Sequence, residues 1–166
     1  MAVTMGPRTP SIQYGILGWN TPNLPTEFSL GALNIWGCYF DATQTATIFD
    51  QKLRAKSTSG TINVKAGMYT RTGSNSGNDL YLSPDTLSLT TTETVLTFSQ
   101  TKPITNGSSY WIFFQADGDL TFWYDTTATP SKYANLGAYS FGSWPASFSG
   151  VFTETVIVQL WADYSF

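Results

Sequence analysis

The 166-residue chain has no histidine and a single cysteine, Cys38. A lone cysteine rules out an intramolecular disulfide and any multi-cysteine zinc site. With no imidazole to activate it, Cys38 is also a poor nucleophile. It sits in Asn34-Ile35-Trp36-Gly37-Cys38-Tyr39-Phe40, among large apolar residues, and reads as a small buried hydrophobe. Charge is scarce too. Asp, Glu, Lys and Arg make up 11% of the chain, against roughly 25% in ordinary soluble domains. The net charge is −3 and no basic stripe stands out, which argues against nucleic acid as a partner.

Long apolar runs are missing as well. No stretch of about 18 apolar residues exists, so no membrane-spanning helix is expected. Met1-Ala2-Val3-Thr4-Met5-Gly6-Pro7-Arg8 lacks the apolar core of a signal peptide. The expectation is either synthesis without export, as for a virion protein, or excision from a larger exported protein. An extracellular or virion-surface location follows from both. No window carries a helical apolar face of three turns.

What fills the chain is Thr, Ser, Gly, Asn and aromatic residues, with hydrophobic residues at 42%. That mixture suits strands and turns rather than helices. Residues 1–32, with Pro7, Pro10, Pro22 and Pro25, read as an extended N-terminal arm with one short edge strand. Residues 33–166 read as one domain.

Within that domain period-two alternation recurs. Residues 48–57 place Phe49, Leu53 and Ala55 on one face and Asp50, Lys52, Arg54 and Lys56 on the other. After Ser59-Gly60, Ile62, Val64, Ala66 and Met68 share a face, and the two segments are expected to form a hairpin. Residues 72–79 (Thr-Gly-Ser-Asn-Ser-Gly-Asn-Asp) read as a long loop. Short strands are expected over 80–89 and 94–99. Residues 109–116 send Tyr110, Ile112 and Phe114 inward; Asp117-Gly118-Asp119 is a tight turn; Leu120, Phe122 and Tyr124 return. Val156, Val158, Leu160 and Ala162 line a last strand. The predicted fold is all-β: a two-sheet antiparallel β-sandwich of the jelly-roll kind with eight or nine strands.

Three segments bear a resemblance. These are Gly107-Ser108-Ser109-Tyr110-Trp111-Ile112-Phe113-Phe114, Leu120-Thr121-Phe122-Trp123-Tyr124-Asp125, and Tyr139-Ser140-Phe141-Gly142-Ser143-Trp144-Pro145-Ala146-Ser147-Phe148. They resemble the Y-W-L-A-F strand, Y-Y-D strand and Y-G-x-W-P-x-x-F loop of carbohydrate-binding-module-like jelly rolls in exported prokaryotic and phage tail or capsid-associated proteins. Val64-Lys65-Ala66-Gly67-Met68-Tyr69 matches that module's V-x-V-A-I-Y strand, with Gly67 where alanine is usual. The resemblance spans about residues 36–166 and implies a non-catalytic sandwich that binds glycan or serves virion assembly.

The candidate sites are aromatic. Alternation sends Trp111, Phe113 and Gln115 outward, then Trp123 and Asp125, then Ile157, Gln159, Trp161 and Asp163. Indole faces can stack on pyranose C–H groups while carboxylates accept from hydroxyls. On that logic Trp123, Trp144, Tyr133, Tyr139 and Asp125 form a polysaccharide or surface-glycan site. The same chemistry suits a subunit contact. Trp111, Phe113 and Trp161 are accordingly candidates for contact with a second copy or with a capsid or tail protein. Alternatively, loops or the N-terminal arm cover the outward aromatics, and Trp144 plugs the open end of the sandwich. No catalytic residue and no cofactor is expected. Asp117 and Asp119 are the carboxylates a structural Ca²⁺ would use, although a turn explains Asp-Gly-Asp without metal. Asn106-Gly107-Ser108 fits an N-glycosylation sequon and equally a plain turn.

Overall fold

A computed structural model describes residues 13–18, 24, 26–125, 132–149, 152–155 and 157–166; side chains at 124–125, 132–133, 152–155 and 157 are outside the description. Pro7, Pro10, Pro22, Pro25 and Val156 therefore lie outside the described residues. Among the described residues there is no helix, and fourteen strand segments succeed one another. In chain order they are β1 (Tyr14–Gly18), β2 (Thr26–Leu30), β3 (Asn34–Asp41), β4 (Ala46–Ser57), β5 (Ile62–Gly73), β6 (Ser76–Leu82) and β7 (Leu87–Leu89). There follow β8 (Thr94–Ile104), β9 (Ser109–Ala116), β10 (Leu120–Asp125), β11 (Lys132–Ala138), β12 (Phe152–Thr155), β13 (Ile157–Val158) and β14 (Leu160–Ser165).

They form two antiparallel sheets. In sheet A the order is β1-β14-β4-β10-β13, with β2 beside β10 and β8 beside β4; in sheet B it is β12-β11-β3-β9-β5-β6, with β7 beside β5. The all-β, two-sheet antiparallel sandwich expected from the sequence is the fold observed. Residues 14–18 and 26–30, expected to supply one edge strand, supply two, each hydrogen-bonded into sheet A.

The alternating residues behave as period two requires. Ile62, Val64, Ala66 and Met68 of β5, Tyr110, Ile112 and Phe114 of β9, and Val158, Leu160 and Ala162 of the last strands meet in one core between the sheets. Cys38 lies in it, fully buried, and burial pushes its thiol up to about 12.

Three local expectations are corrected. Phe49 does not share the inward face of Leu53 and Ala55. A bulge against β14, where Asp50 faces Asp163 and Ile48 faces Tyr164, inserts one residue into β4, which turns Phe49 out to 37% exposure and brings Ile48 in. Segments 48–57 and 62–68 are not a hairpin: β4 lies in sheet A and β5 in sheet B. Their apolar faces look at each other across the core instead of side by side. The turn at 117–119 likewise carries the chain from β9 in sheet B to β10 in sheet A. Residues 72–79 are mostly strand, since β5 runs to Gly73 and β6 starts at Ser76.

Candidate functional site

The outward face of sheet B is covered by its own chain. Residues 139–149 run across it as a strap, and beneath them lies a second core of Ile35, Tyr69, Trp111, Phe113 and Ala134, flanked by Tyr39, Leu80, Leu136, Trp144 and Phe148. Phe148 is the keystone. Its ring meets those of Tyr69 (5.0 Å), Trp111 (5.7 Å) and Phe113 (5.5 Å) edge-on, the geometry that suits aromatic quadrupoles. Its backbone exchanges two hydrogen bonds with Gly77 (2.9 and 3.1 Å). Trp111 and Phe113 are stacked at 5.5 Å and wholly buried. The expectation that they present an interface is corrected: period two turns them away from the inter-sheet core, and the strap then takes them out of water.

Trp144 closes the strap. Its ring stacks on Tyr69 (6.5 Å, 20°) and rests on Gly67, where a Cβ would come within 3.0 Å of the indole. A glycine at this position thus makes room for the ring. The indole N–H donates to Gln115 Oε1 (3.0 Å). Gln115, fully buried, is the polar hub of the strap. Its Nε2 donates to the carbonyls of Leu33 and Tyr139 (both 2.9 Å), and its Oε1 also accepts from the Gly142 N–H (2.9 Å). The Tyr69 hydroxyl donates to the Pro145 carbonyl (2.7 Å), and burial, then the Tyr139 charge, raises the Tyr69 phenol above its ordinary value. Of the proposed glycan residues, Trp144 is thus spent on its own chain. Tyr139 is exposed at the strap's start.

Trp123 belongs to sheet A, away from the strap. It stands where β10 leaves β4 to pair with β13. Gln159, at the break between β13 and β14, bridges the split: its N–H donates to the Trp123 carbonyl (3.1 Å) and its own carbonyl accepts from the Arg54 N–H (3.3 Å). The Trp123 ring is 8% exposed, roofed by Arg54 at 4.9 Å and Lys56 at 5.4 Å from its centroid. Those cations are in turn paired with Glu93 and Glu27. Trp123 and Trp144 are therefore on different sheets, and no platform unites them. Tyr133 pairs with Cys38 in β11 and Asp125 with Ile157 in β10; their side chains lie outside the described residues. Trp161, 9% exposed, lies on β14 opposite Lys52 and Gly18.

The carboxylates proposed for calcium have other work. Asp117 accepts from the Asn63 N–H (2.7 Å) and side-chain amide (2.8 Å), and Asp119 from the Ala32 N–H (2.8 Å). Each pins the turn to a neighbouring segment. No group of three metal-ligating side chains occurs among the described residues. Asn106-Gly107 sits in an exposed turn with Gly107 at φ 79°.

What alternation did not reveal is an exposed apolar cluster on the margin of sheet A. Tyr14 (69% exposed), Ile16 (44%) and the bulge-flipped Phe49 line, with Gly15 and Asp163, a shallow hollow of about 500 Å³. Tyr14 meets Phe49 edge-on at 5.9 Å. The sequence signal was the uncharged Tyr14-Gly15-Ile16-Leu17-Gly18 inside a segment read as an arm.

No protein family and no curated protein matches this sequence. Solved chains that overlay on it include those of infectious bursal disease virus, Gx strain (12% identity, TM-score 0.39) and Gt strain (13%, 0.40), and its VP2 subviral particle (14%, 0.37). Each match covers 99% of this chain, which spans less than half of those viral chains, 46%, 45% and 45%. Superposition this loose carries neither role nor partner across.

Proposed function

We propose that this protein is a non-catalytic structural subunit that works by assembly, in the manner of a virion accessory protein such as a capsid decoration, turret or tail-fibre subunit. One observation carries the reading: Trp123 and Trp144, the indoles that would make a sugar platform, are consumed inside the chain, while exposed apolar side chains gather at a sheet margin. Trp111, Phe113 and Trp144 build the strapped core, and Trp123 lies under paired cations. Tyr14, Ile16 and Phe49 remain in water. Exposed clusters of that kind mark contact surfaces. The chain has no histidine, Cys38 is buried, and Asp117 and Asp119 are tied to amides, which supports a non-catalytic reading.

The test is mass against ligand. Sedimentation and light scattering across the micromolar range should show a homo-oligomer. A multivalent polysaccharide array should show no binding. A monomer that binds a polysaccharide, and loses that binding on Tyr139→Ala, would overturn the reading in favour of a glycan module.

A further inference from the structure

We infer that β1 is a pairing edge for a second copy of this chain, joined antiparallel about a two-fold axis at Ile16. The inference rests on the assembly reading and names its surface and partner.

Open sheet margins template new strands, and proteins blunt those that must stay single with charge, proline or inward-pointing lysine. Sheet A has such margins at β8, β2, β13 and β1 among the described residues, and β13, two residues long, is too short to template a strand. The long β8 is blunted twice. Pro103 removes a donor, and Lys102 points inward, 2% exposed, held by Asp79 at 2.9 Å and lying 3.8 Å from the Tyr81 ring centroid. On β2, Glu27 stands exposed and pairs with Lys56. On β1 neither charge nor proline occurs. Its inner side is committed: Leu17 is buried, and Gly15 lies against the Tyr164 ring so closely that a Cβ would sit 2.4 Å from it. The outer face, with Tyr14 and Ile16, remains, and so does a strand edge with no partner among the described residues.

The five residues are self-complementary. With Ile16 opposite its symmetry mate, an antiparallel register sets Tyr14 opposite Gly18 of the second copy, and Gly18 opposite its Tyr14. Tyr14 and Ile16 share one face, and Gly18, with no side chain, leaves room across from the Tyr14 of the other strand. Gly18 is fixed as glycine by φ 115° and by the Leu160 carbonyl oxygen, 2.6 Å from where a Cβ would stand. Its pairing with Trp161 puts the Trp161 rim next to the incoming Tyr14. A contact of one short strand is weak alone and becomes durable when repeated in a closed assembly.

The test uses cysteine placement, because native Cys38 is fully buried. Ile16→Cys, treated with a short bis-maleimide, should give covalent dimer on the order of tenfold above Val95→Cys, the control on exposed β8. Ile16→Lys should reduce the sedimenting mass with an unchanged melting temperature. An oligomer that survives Ile16→Lys, with no excess cross-linking of the Ile16→Cys chain over the control, would overturn the edge and leave assembly intact. A wild-type chain monomeric throughout, with the Ile16→Cys chain equally uncross-linked, would overturn both.

Discussion

The two cores of this molecule are built on different terms. The core between the sheets is made of alternating strand residues, aliphatic and aromatic, and needs little polar help. The core under the strap is mostly aromatic, with Ile35 and Ala134 beside Tyr69, Trp111 and Phe113, and is closed by a segment without regular structure. That segment's backbone is satisfied by Gln115, Tyr69 and Gly77. A sheet can thus bury both faces without a third layer of secondary structure, provided one polar side chain organises the cover. The lesson for reading sequences is that an outward aromatic row says only that something covers it, and the cover can be a short stretch of the same chain.

Substitutions can break this contrast, beginning with the largest effect. Phe98→Ala empties a fully buried site between the sheets. It should cost about 3–5 kcal/mol, a drop of about 10 °C or more in melting temperature, read by calorimetry, with loss of sheet signal and both cores together. Gln115→Leu should come next, at about 2–4 kcal/mol, because several strap groups lose their only buried partner. Its signature is local: limited proteolysis within residues 139–149 and red-shifted tryptophan fluorescence while far-ultraviolet dichroism keeps its sheet form. If Gln115→Leu unfolds the whole domain in one step, the two cores are a single cooperative unit and the contrast is wrong.

Trp144→Ala should cost less, about 1–2 kcal/mol, since the ring is half-buried. Melting should fall by several degrees with no change in sedimentation. The smallest effect lies at the rim of the inter-sheet core, at Asp79. The Lys102 ammonium, then the Thr70 hydroxyl, hold its carboxyl below the ordinary range against a modest opposing desolvation. The folded value is depressed, so the stabilisation is complete above an unfolded value of about 4 and is lost as pH falls through the folded one. Asp79 is exposed and the loss is therefore small. Acid titration of melting temperature should be shallower in Asp79→Asn than in wild type.

Much of the inter-sheet core was legible because period two survives most of the chain. Residues 109–116 form the predicted strand with the predicted inward face. Legibility failed where one extra residue enters, as at Phe49, and where a tight turn changes sheets, as after Ser57 and Ala116. A hairpin and a sheet-to-sheet corner share the same local chemistry; which one forms is decided by partners far away in the chain. The strap was legible only as a choice. Its aromatics were marked either as platform or as plug, and the buried amide of Gln115 that makes it a plug carries no local signal at all.

The pairing of β1 with β14, continued by the two hydrogen bonds between Gln13 and Phe166 (3.0 and 3.1 Å), joins segments made at opposite ends of the domain's synthesis. During translation β4 emerges early, yet Thr47 to Leu53 on one of its two flanks stay unpaired until β14 leaves the ribosome. Sheet A therefore closes only once residues 14–165 have all been made, a non-local step of the slow kind. Until then the nascent chain carries an open, apolar strand edge to any neighbour translating the same message.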